Sequence, residues 1–292
     1  MCRLFGMSGG TNNVQATFWL LDAPDSLLLQ SEGQPDGVGL GTFDGDGAPR
    51  IYRKPVPALR SQTFIASAHE VRSRTFVSHI RHATAGEPTF KNTHPFEQRG
   101  RIFAHNGVVG DLPGLRQRLG DYVELVQGTT DSELFFALIT KCIDEQGGNV
   151  GAGITAAGSL IAAEIPLYSL NLVLTTANEL WALRYPDTNE LWILERSIGN
   201  LDPGGGFDER SLSGIMRVQS AELSVLPATV IASEPLDASA RWRLLESGEL
   251  IHVDERLRVT STIAVPDPPA QLIDLNAREA AAQGVEPGAG TG

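Results

Sequence analysis

The sequence is poor in several things. Its 292 residues include two cysteines, Cys2 and Cys142. Two thiols cannot form a disulfide framework, and without a Cys-x-x-Cys pair the usual structural zinc sites are excluded too. Basic residues are scarce: 23 Lys+Arg stand against 35 Asp+Glu, for a formal net charge of −12. So acidic a chain lacks the concentrated positive surface that nucleic acid or an anionic membrane needs. No apolar run approaches the ~18 residues of a membrane span. The opening residues, Met1 to Gly6, have neither the basic nor the long apolar region of a secretory signal. No repeat period shows and no heptad is sustained. These absences predict a cytoplasmic protein with no nucleic-acid and no membrane partner.

What is present is globular. The hydrophobic fraction is 41% and the charged fraction 20%, enough for a sizeable core. After Val265 the chain becomes rich in Pro, Ala and Gly and nearly devoid of large apolar residues. Such a segment buries too little apolar surface to offset its ordering entropy. The expected organisation is one domain over residues 2–265 and a disordered tail over 266–292. Strand patterns dominate: Arg3–Ser8, Val38–Phe43, Arg50–Arg53, Thr75–Ala83, Arg101–His105, Asn171–Thr176, Leu180–Tyr185 and Glu190–Arg196. Later strands are expected at Ala228–Ser233, Leu250–Val253 and Leu257–Ile263. Helical spacing fits Ser61–Arg72, Leu112–Leu119, Asp131–Asp144 and, more weakly, Gly151–Ile165. Many strands with helices clustered between them predict an α+β fold.

Cys2 is the first candidate for chemistry. A small second residue permits removal of the initiator Met, which leaves the Cys2 thiol beside a free α-amine. With a reference pKa of about 7.7–8.0, that amine suits proton transfer near neutral pH. One residue then supplies both nucleophile and base. Taken alone, a cysteine at position two reads more readily as a buried structural thiol.

Further along stand Arg81-His82-Ala83-Thr84-Ala85-Gly86, Asn92-Thr93-His94-Pro95-Phe96, His105-Asn106-Gly107 and Thr130-Asp131-Ser132-Glu133. In Thr75–Ala83 a period of two puts Val77, His79 and Arg81 on one face. An Arg at a strand's end can grip a carboxylate bidentately, or form a surface ion pair. Asn106 offers a side-chain N–H, and Gly107 lets a backbone N–H come close to a reacting carbonyl, as in an oxyanion hole. The same dipeptide by itself is a strong turn former. Asp131 stands where the long helix begins, where Thr129, Thr130 and Asp131 are all plausible N-caps.

With Cys2, this order of motifs resembles the class II glutamine amidotransferases, the N-terminal-nucleophile hydrolases that begin with cysteine. The resemblance runs from Cys2 to about Cys142, and more loosely to Val253. It is strongest with the stand-alone, YafJ-like group, through Asp36-Gly37-Val38-Gly39, His79-Ile80-Arg81 and Asn92 to Phe96. The sugar-phosphate-forming members carry tryptophan and histidine where this chain has His82 and Ala85. The resemblance implies the four-layer αββα sandwich, with Cys2 beginning a central strand. It also implies that Arg81 and Thr84 bind the α-carboxylate of glutamine and Asp131 its α-ammonium. Asn106 and Gly107 would form the oxyanion hole, and His94 would lie near the site.

Other signals are weak. His79 and His82 face opposite sides of a strand, a poor geometry for a metal. His69 to Ser73 lacks the second zincin histidine, Gly37 to Gly41 fails the dinucleotide spacing, and Asp44 to Gly47 lacks the later calcium ligands. Cys142 reads as core. No metal and no cofactor are expected. The expected reaction is hydrolysis of the glutamine side-chain amide to glutamate and ammonia through a thioester on Cys2. Two alternatives are an amidohydrolase of another γ-glutamyl amide, of the ergothioneine-pathway type, and a non-catalytic glutamine-binding module. For glutamine hydrolysis a separate synthase would accept the ammonia. Roughly 145 residues after Asp144 are too few for a fused one.

Overall fold

The computed structural model describes residues 3–20, 37–54, 71–81, 89–197, 207–210, 216–220, 222–236 and 241–275. The chain begins with strands β1 (Arg3–Ser8), β2 (Val14–Leu20), β3 (Gly37–Phe43) and β4 (Pro49–Lys54). Next come β5 (Val71–Ser73), β6 (Thr75–Arg81), β7 (Phe96–Gln98) and β8 (Arg101–Val109). Helices α1 (Leu112–Leu119), α2 (Asp131–Glu145) and α3 (Val150–Glu164) precede β9 (Leu167–Thr175) and β10 (Leu180–Leu183). Then follow β11 (Trp192–Arg196), β12 (Phe207–Arg210), β13 (Met216–Ser220), β14 (Ala228–Ala232), β15 (Arg243–Leu244), β16 (Glu249–Val253) and β17 (Val259–Ile263).

Two antiparallel sheets carry the architecture. The first has the order β15-β11-β14-β1-β6-β3-β4, so β1 is its central strand. The second has the order β17-β16-β10-β9-β8-β7. Their facing sides share one core of Leu4, Val77 and Ile231 against Ile102, Ala104, Val173 and Ile251. Alternation along each strand sends the neighbouring residues outward. Phe5, Met7, Leu40, Phe76 and Ile80 form a second core on the outer side of the first sheet. There they meet Val14, Ala16 and Val71 of a small sheet ordered β12-β13-β2-β5.

Phe103, Leu172, Leu174 and Leu183 leave the second sheet on its outer side and pack against α2 and α3. Helix α2 is buried along nearly all its length, with Leu134, Phe135, Leu138 and Ile139 at the core. Thr130 is its N-cap and accepts the Glu133 N–H, while Asn149 caps α3 through Ala152 N–H. Such caps satisfy donors that the helix leaves orphaned.

Several expectations shift. The strand expected at Arg101–His105 runs on to Val109, because β9 pairs with it as far as Leu167. The helix expected over Ser61–Arg72 falls mostly outside the described residues. Its last two positions, Val71 and Arg72, are strand, paired with Ala16 and Gln15 of β2. Residues 266–275, assigned to the tail by composition, lie against the second sheet. Leu167 N–H donates to Gln271 O, Ile273 N–H to Leu167 O, and Tyr185 hydroxyl to Asp267 O.

Candidate active site

Cys2 and Thr84 lie outside the described residues, as does the side chain of Arg81. The backbone around them is well placed. Arg3, next to Cys2 in the chain, sits opposite Ile80, and Leu4 sits opposite His79. On the far side of β6, Arg81 pairs with Gly37 and His79 with Gly39. The start of β1 and the end of β6 are therefore side by side in the middle of the first sheet. Leu4 and Val77 point toward the second sheet, and His79 shares that face.

His94 covers this face. Its ring lies 4.2 Å from that of His79 and 4.5 Å from that of Phe96. The His94–Pro95 peptide is cis and rests on Gly39, where a Cβ would stand 2.0 Å from His94 O. Only glycine allows that approach. Arg53 of β4 clamps the same loop, donating to Thr93 O at 3.0 Å and to Pro95 O at 3.3 Å.

Asn106 and Gly107 do not form a turn. Both are extended within β8, opposite Asn171 and Leu170. Asn106 alternates with Ile102 and Ala104 and so faces the first sheet. It is 5% exposed, and its Oδ1 is buried with no partner among the described residues. A Cβ on Gly107 would lie 1.9 Å from Ser169 O, so a side chain there would force β8 from β9.

The direction of the Gly107 N–H follows from the pairing. Its partner Leu170 donates to Tyr185 O, away from β8. Gly107 and Leu170 thus form a non-hydrogen-bonded pair, and the Gly107 N–H points to the other edge of β8. Strand β7 reaches only Arg101, Ile102 and Phe103, leaving that edge without a strand partner from residue 104 onward among the described residues. Two residues beyond Gly107 on the same edge, Val109 N–H donates to Asp131 Oδ2 at 2.9 Å. At ~3.4 Å per strand residue, the two N–H groups are roughly 7 Å apart.

Asp131 is thus not the helix cap, a part played by Thr130. It is the first residue of α2 and holds the helix start to the strand edge. Glu133 orders the loop before it, accepting Gln127 N–H at 3.0 Å and Gly128 N–H at 2.6 Å. Burial pushes the Glu133 carboxyl upward in pKa, against these N–H donors and Arg53. Asn92 joins this loop to the His94 loop, accepting from Thr129 N–H at 2.9 Å and donating to Thr129 Oγ1 at 3.1 Å. The structure therefore ties Asp131 to β8, the strand that carries Asn106 and Gly107, and ties the loop before Asp131 to the loop of His94.

Two residues that the motifs contained but did not single out are His105 and Ser132. His105 Nδ1 is 2.9 Å from Ser132 Oγ, and Nε2 is 3.0 Å from Ser169 O. Burial lowers the His105 pKa, opposed by the Asp131 charge and by the bond to Ser169. The only available signal was their adjacency to Asn106 and Asp131. Cys142 is buried in the α2 core, and burial raises its pKa. No group of three or more His, Cys, Asp or Glu among the described residues could hold a metal ion. No helix among them is long and apolar enough to cross a membrane.

The chain is similar to several known proteins. Residues 1–273 match the family model described as class-II glutamine amidotransferases. YafJ of Escherichia coli (strain K12) is 28% identical over 267 residues, covering 85% of this chain and 96% of that protein. The gamma-glutamyl-hercynylcysteine sulfoxide hydrolase of Mycolicibacterium smegmatis is 27% identical over 266 residues, covering 87% of this chain and 96% of the hydrolase. DUG3 of Saccharomyces cerevisiae is 30% identical over 136 residues, and the match spans 42% of this chain and 38% of DUG3. A crystal structure of a predicted glutamine amidotransferase from Pseudomonas aeruginosa PA01 superposes with a TM-score of 0.64 at 22% identity, covering 89% of this chain and all of that one. The likeness shows a shared α+β fold built on two antiparallel sheets packed face to face.

Proposed function

The chain belongs to the class II glutamine amidotransferases, and from that premise we propose that it hydrolyses the side-chain amide of glutamine through a thioester on Cys2. The observation that carries this reading is the edge of β8 beyond Phe103, which has no strand partner among the described residues. It offers the Gly107 N–H at one point and the Asp131 carboxylate about two strand residues further on. An extended glutamine separates its amide carbon from its α-nitrogen by four bonds. Its amide oxygen could accept from the Gly107 N–H while its α-ammonium donates to Asp131, both partners lying along one strand edge.

In this reading Met1 is removed and the Cys2 α-amine takes the thiol proton. The sulfur attacks the amide carbon, and the developing oxyanion accepts from the Asn106 side-chain amide and the Gly107 N–H. The α-ammonium then protonates the leaving nitrogen, the C–N bond breaks, and ammonia departs. Water gives a proton to the α-amine and its oxygen to the thioester carbon. Glutamate leaves as the proton returns to sulfur. Arg81 and Thr84 hold the α-carboxylate, and Asp131 holds the α-ammonium. The ammonia passes to a separate acceptor enzyme or to solvent.

A second reading rests on the Mycolicibacterium smegmatis relative, matched over nearly the whole of both chains. Here the same nucleophile and oxyanion hole would cleave a larger γ-glutamyl amide. Comparing kcat/KM for glutamine with that for γ-glutamyl amides of increasing size separates the two. Replacing Cys2 with Ala tests both: loss of ammonia release is expected, and unchanged release from glutamine would overturn the thioester.

A further inference from the structure

Asp131 has two carboxylate oxygens with different surroundings. Oδ2 accepts the Val109 N–H at 2.9 Å. Among the described residues Oδ1 has a single nearby donor, the Ser132 hydroxyl at 3.4 Å. Ser132 Oγ lies closer to His105 Nδ1, at 2.9 Å. A serine hydroxyl has one hydrogen, so it can be given to His105 or to Asp131 and not to both.

The other side of the ring decides between them. Ser169 O is a carbonyl and can only accept, so the proton of a neutral His105 sits on Nε2 and the Nδ1 lone pair faces Ser132. The ring is 2% exposed. Phe103 lies 6.4 Å away, nearly parallel, and Phe135 stands edge-on at 5.4 Å. These apolar walls hold the ring plane and disfavour the imidazolium.

We propose that His105 and Ser132 are positioning residues for the amino-acid ligand. Neutral His105 takes the only hydrogen of Ser132 and so leaves Asp131 Oδ1 to the ligand's α-ammonium. The proposal rests on the reading that the site binds an amino acid through Asp131. Were His105 unable to accept, the Ser132 hydroxyl would turn to Oδ1 and compete with the ammonium for it.

The test compares L-glutamate with glutarate, which is the same molecule without the ammonium. Dissociation constants for both are measured by calorimetry on the full chain near neutral pH, with glutamine turnover followed in parallel. The wild type should prefer glutamate by about tenfold or more, the worth of one hydrogen-bonded charge pair. His105→Leu should shrink that preference severalfold. Adding Ser132→Ala to His105→Leu should restore it, because the competing hydroxyl is gone. A merely structural loss would not be repaired by a second deletion.

A preference unchanged in His105→Leu, or lowered and not restored in the double variant, overturns the proposal. If the wild type still hydrolyses glutamine, the amide-hydrolysis reading survives that result. A wild type that neither binds glutamate nor hydrolyses glutamine removes both. Should His105→Leu not fold, nitrogen-15 NMR of the wild-type imidazole decides. A neutral ring protonated on Nε2 supports the proposal; an imidazolium or an Nδ1–H tautomer overturns it.

Discussion

Asp131 Oδ2 accepts the backbone N–H of Val109 at 2.9 Å, which pins the first residue of α2 to the β8 edge that has no strand partner there among the described residues. A helix start and a strand edge are thereby held in one geometry. Two residues back along that edge is the Gly107 N–H. The spacing of donor and carboxylate is set by the strand repeat and not by a flexible loop.

Replacing Asn106 with Ala removes a side-chain donor aimed at the space between the sheets. If Asn106 is the oxyanion donor proposed above, the expected loss is ~10²–10³ in kcat with a much smaller change in KM. Steady-state ammonia release checks it. A change confined to KM would assign Asn106 to ground-state binding.

Replacing Asp131 with Asn keeps an oxygen for Val109 N–H and removes the charge. Glutamine kcat/KM should fall by roughly 10- to 100-fold, mainly through KM. Glutarate affinity should hardly move. Equal losses for glutamate and glutarate would show that the substitution had disturbed the strand edge.

Gly39→Ala places a Cβ 2.0 Å from His94 O, against backbone that cannot swing aside. Such overpacking typically costs 1–3 kcal/mol. Thermal unfolding should show a lowered Tm, whereas Gly45→Ala, with open space around it, serves as the quiet control. An unchanged Tm for Gly39→Ala would mean that the His94 loop stands off the sheet in solution.

His105 also predicts a pH dependence of stability. Burial holds its folded pKa below the ordinary value of 6.5. The unfolded chain therefore binds a proton first as pH falls. Stability contributed by the neutral ring is full above about 6.5 and is lost on acidification, with a slope of at most ~1.4 kcal/mol per pH unit. In His105→Leu the Tm should fall less steeply between neutral and mildly acidic pH. Parallel slopes in the two proteins would contradict a buried neutral imidazole.

Much of this was legible along the chain, and what was not depended on distant partners. Arg3–Ser8 reads as a strand and is one, because Leu4 is buried on one face and Phe5 and Met7 on the other, in the cores on either side. Leu134, Phe135, Leu138 and Ile139 announce α2 at helical spacing. Asn106-Gly107 favours a turn locally, yet pairing with Asn171 and Leu170, more than sixty residues away, extends it as strand. Val71 and Arg72 end a helical pattern but pair with β2. The cap at Thr130 and the tie from Asp131 to Val109 were indistinguishable in sequence, since either residue suits a helix start. The His105–Ser132 bond joins residues 27 apart and left no periodic trace.

The central claim is that Cys2 is an N-terminal nucleophile in a glutamine-shaped pocket. Its most direct test is the intact mass of the purified protein, before and after a glutamine-mimicking diazoketone that alkylates nucleophilic thiols. The expected result is a chain without Met1 that gains one adduct, mapped to Cys2 and blocked by excess glutamine. A chain that retains Met1, or one that loses it and takes no label at Cys2, would contradict it.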